Sequence, residues 1–139
     1  MQLNYIAIII ATVLQFIFGA IWYTPIFGNL WAKIHSTDKY TKEQKKELMK
    51  GVGKFFAIQF VITFITTFVF AIFMWSLPHD WNAYGLAFFF WIGFVVPTQI
   101  SAVIFGETKR EWMVKKILIM AGASFFCLQI AAIVLHLMS

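Results

Sequence analysis

Four long stretches of this sequence, residues 3–24, 55–77, 84–106 and 117–138, contain no Asp, Glu, Lys or Arg. Charge is scarce overall, at 12% of the 139 residues, where a soluble domain carries about 25%. With 61% hydrophobic residues, a chain this short has no water-soluble core large enough to hide them. A single cysteine, Cys127, excludes an intrachain disulfide, and its apolar surroundings point to a buried free thiol. The charge-free stretches also lack the carboxylate through which a membrane exporter trades protons for substrate, which disfavours that mechanism. No glycine-rich phosphate loop, metal-spaced Cys/His set or nucleophile–base pair occurs in any one segment. Ser101 and Ser124 have no His–Asp pair nearby in sequence, and an enzyme is the least supported class.

What is present suits a bilayer. Each stretch is long enough to cross ~30 Å of hydrocarbon, which takes ~20 helical residues. Helix is the expected conformation because every backbone polar group must be paired within its own segment. The expected fold is therefore all-α: one four-helix membrane domain over residues 1–139. The first run has no Lys or Arg ahead of it, and "GAIWYT" makes a poor cleavage site, so it is expected to be a retained span.

All eleven basic residues lie in two connections, residues 25–54 and 107–116. The link 78–83 holds only Asp80. With four spans those two connections share one side, and the positive-inside rule makes that side cytoplasmic. Both termini and the 78–83 link are then expected outside, with the protein in the inner (cytoplasmic) membrane. The net charge of +5 is accordingly expected to meet anionic inner-leaflet lipids. A nucleic-acid partner is not expected. Within the first connection, Thr41 and Gln44 form a capping-box pattern, and Glu47 precedes Lys50 at helical spacing, which predicts a short helix. Leu30, Trp31 and Ile34 share a helical face that is expected on the membrane surface.

Polar residues within the spans recur at helical spacing. Asn4 and Gln15 do so in the first, Gln59 and Thr63 in the second, Gln99 in the third and Gln129 in the fourth. Such residues are expected to face other helices, either as packing seams or as the lining of a polar path, which would need an oligomer. Pro97 deprives the Gly93 carbonyl of its usual donor and predicts a kink.

The stretch "FGAIWYTPIFGNLW" ends the first span. Trp22, Tyr23 and Trp31 suit an interfacial anchor, and Pro25 stops or redirects the helix. The alternative is a cytoplasmic-side pocket formed by these four residues, with Pro97 and Ser101 across from them. His79, Asp80 and His136 would meet at the outer end, where a weak metal or pH-sensing cluster competes with plain solubility. No cofactor is implied.

The motif "GAIWYTPIFGNLW", then "WIGFVVPTQISAVIFGE" in the third span and the Trp112 turn leading to "LIMAGASFF", resemble the small four-span bacterial membrane proteins of the domain of unknown function 1761 family. The resemblance covers nearly the whole chain and implies a four-span fold. It brings no activity, substrate or catalytic residue. Three functional classes follow: a non-enzymatic membrane protein that assembles with itself or a partner, a small-solute carrier or channel formed by an oligomer, and, last, a membrane enzyme or redox accessory.

Overall fold

A computed structural model of the chain describes residues 2–78 and 80–139. The described residues are helical and contain no strand. Four helices are long and apolar enough to cross a membrane: Tyr5–Ile26, Val52–Ser76, Ala83–Ile104 and Arg110–Leu137. The chain is thus built as a multi-pass membrane protein.

The first span is α1 (Tyr5–Ile21) continued by a π-helical turn, Trp22–Ile26. Asn4 caps it by accepting from the Ala7 N–H, which satisfies one of the free N–H groups of the first turn. Pro25, expected to stop or redirect this helix, lies inside the π turn, and the span ends one residue later at Ile26; Phe27 N–H bonds back to the Trp22 carbonyl at 2.9 Å. The chain then turns at Phe27 into α2 (Gly28–Ile34). Ile34 of α2 is only 7% exposed, and the helix lies against the last span. The Leu30–Trp31–Ile34 face is therefore covered largely by protein.

Next, α3 (Lys42–Met49) opens on a complete capping box: Thr41 accepts from the Gln44 N–H, and the Gln44 side chain accepts from the Thr41 N–H. Lys50 and Glu47 form an ion pair at 3.1 Å. Between α3 and α4 (Val52–Ser76), Gly51 sits at φ +75, a left-handed conformation that breaks the two helices apart.

The third span is α5 (Ala83–Phe90), a second π turn (Trp91–Val95) and α6 (Val96–Ile104). Val96 N–H reaches the Trp91 carbonyl, so a π turn leads up to Pro97 over the segment where Gly93 and Pro97 predict a kink. Both Ile-Phe-Gly segments end their spans in the same way: Phe27 has φ −115 and ψ 9, and Phe105 has φ −93 and ψ 3.

The fourth span, α7 (Arg110–Leu137), is the centre of the bundle. It lies against α1, α5 and α6, while α4 packs mainly on α1. The core gathers at the end opposite the basic connections. There Ala7 and Ile8, Phe70 and Ala71, Leu86 and Ala87, and Ala131, Ala132 and Leu135 interlock. Alanines at these crossings let backbones approach closely, as helix contacts in lipid require. Asn4 Nδ2 closes that end by donating to the Met138 carbonyl at 2.8 Å.

Candidate functional site

In hydrocarbon an indole N–H has no water to bond, so a tryptophan within a span must find an acceptor. Trp22 and Trp91 each begin a π turn, and each reaches α7. Trp22 Nε1 donates to the Ile119 carbonyl at 3.0 Å, and Trp91 Nε1 donates to the Ala121 carbonyl at 2.8 Å. Between them Gln99 Nε2 points at the Met120 carbonyl at 3.4 Å. Three successive carbonyls of one helix thus receive side-chain donors from two other spans. Each carbonyl has a second lone pair, so this does not require the helix to give up its own ladder.

The rings pack as the hydrogen bonds demand. Trp22 lies against Phe126 at 5.7 Å and Trp91 against Phe125 at 5.1 Å, so the two indoles flank α7. Gly122 makes room for the first: a Cβ there would meet Trp22 Cζ2 at 2.8 Å. Ser124 Oγ sits 3.0 Å from the Ala121 carbonyl and 3.4 Å from Gln99 Oε1. One turn on, Gln15 is buried, donates to Thr67 Oγ1 at 2.7 Å, and has the Cys127 thiol 3.8 Å from its carbonyl.

Toward the basic end a second aromatic cluster forms around Trp31. Tyr23 meets its ring edge-on at 4.8 Å, and His35 lies against it at 4.5 Å. Lys116 Nζ stands 5.7 Å from the ring centroid and donates to Thr108 Oγ1 at 3.2 Å. The neighbouring Lys115 sits over Trp112 at 5.0 Å.

The proposed pocket residues therefore separate. Trp22 is a packing group on α7, whereas Tyr23 and Trp31 belong to the basic cluster. Pro97 and Ser101 are exposed on α6. The seam residues separate too. Asn4, Gln15 and Gln99 bond to other segments, and Gln129 Nε2 donates to the Tyr84 carbonyl at 3.2 Å. Gln59 and Thr63 bond only within α4, at 3.4 Å to each other. Thr66, exposed like Gln59, bonds back to Ile62. At the opposite end, Asp80 and His136 line one open groove with Trp75, Trp81 and Tyr84. His79 lies outside the described residues. Among the described residues no three His, Cys, Asp or Glu groups are placed to hold a metal ion.

Sequence reasoning missed Trp91 and Lys116. A signal existed for the first: a lone Trp in mid-span, away from the interface where Trp collects, needs a partner for its N–H. None existed for Lys116, whose ring partner Trp31 lies far away in the chain.

The family model described as Protein of unknown function (DUF1761) matches residues 6–136, and the chain belongs to that family. Neither the curated proteins nor the solved structures contain a match.

Proposed function

We propose that this DUF1761 member is a non-enzymatic membrane protein that assembles with itself through α4, its basic end against an anionic cytoplasmic leaflet. The observation that carries the reading is the polar stripe of exposed Gln59, half-buried Thr63 and exposed Thr66 on α4. A glutamine amide offers two N–H donors and a carbonyl acceptor. For Gln59 the only side-chain bond is the 3.4 Å one to Thr63, which leaves one donor and the carbonyl unpaired among the described residues. Gln59 lies five residues past Lys54, about 8 Å along the helix into the apolar run. An unpaired amide at that depth costs free energy, and a neighbouring protomer removes the cost.

Copies inserted by the positive-inside rule share one orientation, so their two-fold axis runs along the membrane normal. Such an axis brings Gln59 opposite Gln59 at one depth, and the amide is its own complement. Space for a partner exists there. α4 meets the third span at the far end, where Phe70 and Phe73 pack on Phe90 at 5.8 and 5.1 Å. Toward the basic end α6 lies chiefly against α7, and Phe94 is 62% exposed.

A Gln59→Cys substitution in a Cys127→Ser background tests the interface. The expected result is an oxidative dimer in the bilayer, and Gln59→Leu shifts the native protein toward monomer. Cross-linking from Ile9→Cys on the outer face of α1, with none from position 59, would sink the proposal. The second reading, a small-solute path, draws on the same opening between α4 and α6, where Pro97 and Ser101 are exposed. It predicts instead that Gln59→Leu alters flux in proteoliposomes and leaves subunit number unchanged.

A further inference from the structure

Lys116 is held in place without an acidic partner. It is partly covered and continues α7 one turn before Ile119, whose carbonyl anchors Trp22. The only ion pair among the described residues is Lys50–Glu47, so neither Glu107 nor Glu111, both exposed, comes within pairing distance of Lys116. Its fixed neighbours are the Thr108 hydroxyl at 3.2 Å and the Trp31 ring at 5.7 Å. An ammonium has three N–H donors, and Thr108 takes one. The ring face stabilises the charge but accepts no directed proton. Two donors remain on a cation whose head stands between Trp31 of α2 and Thr108 of the connection before α7. Tyr23 and His35 flank the same Trp31 ring. Lys115 and Arg110, also basic, stand one and six residues before Lys116.

We infer that Lys116, Thr108 and Trp31 form a binding site for a phosphate-ester anion, with an anionic phospholipid headgroup as its source. Trp31, Tyr23 and Trp112 are the ring types that settle at the headgroup level. A lipid phosphate at that depth meets the two free Lys116 donors. The inference rests on the cytoplasmic placement of the basic end and not on self-assembly, so monomeric protein tests it even if the α4 interface fails.

The experiment is native mass spectrometry of delipidated protein in detergent, titrated with phosphatidylglycerol, phosphatidylcholine or soluble glycerol phosphate. The expected result is tight binding of one phosphatidylglycerol, weakened about tenfold by Lys116→Met and restored by Lys116→Arg. Lys45→Met on exposed α3 makes the same change in net charge and is expected to weaken binding by less than about threefold. Retention of helical signal in Lys116→Met separates loss of the site from loss of fold; should that variant unfold, Trp31→Leu gives the second reading. Equal effects at positions 116 and 45 would overturn the site in favour of diffuse attraction. Equal affinity for phosphatidylcholine and phosphatidylglycerol would also overturn it. Glycerol phosphate binding as tightly as the lipid would support the phosphate chemistry and overturn the lipid as its source.

Discussion

Gly122 carries the sharpest energetic consequence. Replacing it with alanine places a Cβ 2.8 Å from Trp22 Cζ2 and 3.2 Å from Cη2. The indole is rigid, and Phe18, Phe27 and Phe126 hold it at 5.6, 4.7 and 5.7 Å. It has little room to retreat, and retreat also stretches the 3.0 Å bond to Ile119. Overpacking of this kind costs about 1–3 kcal/mol. The interhelical hydrogen bond adds about 0.6 kcal/mol when lost. Against this, Ala at an unobstructed helical position gains up to about 1 kcal/mol over Gly. The net expectation is a loss of about 1–3 kcal/mol, with Trp22 as its whole cause. In a Trp22→Ala background the same substitution is therefore neutral or slightly stabilising. A double-mutant cycle by steric trapping or detergent titration in bicelles should return a coupling of about 2 kcal/mol between positions 22 and 122. Equal costs of Gly122→Ala in both backgrounds would refute the contact, and with it the seating of the first π turn on α7.

Other expectations follow from the same contacts. Trp91→Phe keeps the ring against Phe125 but removes the donor to Ala121, and is expected to cost about 0.6 kcal/mol, at most about 1.7, in the same unfolding assay. Gln15→Leu removes a buried bond to Thr67 and should destabilise the monomer by a similar amount, about 0.6–1.7 kcal/mol; Gln59→Leu should leave monomer stability unchanged while altering assembly. Gly51→Ala forces a Cβ into φ +75 and is expected to cost about 1–2 kcal/mol, visible as faster amide exchange across residues 50–54. Single cysteines at Lys45 and Asp80, in a Cys127→Ser background, should label from opposite sides of the membrane, with Lys45 on the cytoplasmic side.

The sequence by itself determined which residues must leave water. Transfer into hydrocarbon adds up residue by residue along a local run, so four uncharged stretches were enough to identify four apolar helices. The Thr41–Gln44 capping box is local for the same reason: donor and acceptor are three residues apart. Partnership is different. Gln15 and Gln59 look alike in sequence, each a lone amide in an apolar helix, yet one is buried against Thr67 and the other stays exposed on α4. That outcome depends on where each helix crosses its neighbour, which helical periodicity does not encode. Pro25 and Pro97 read as a stop or redirection and as a kink because the sequence shows only the missing N–H. Only the structure decided that a π turn accompanies each proline, Pro25 inside one and Pro97 just after the other. In each turn the leading tryptophan finds its acceptor on α7, 97 residues away for Trp22 and 30 for Trp91, where no local rule reaches.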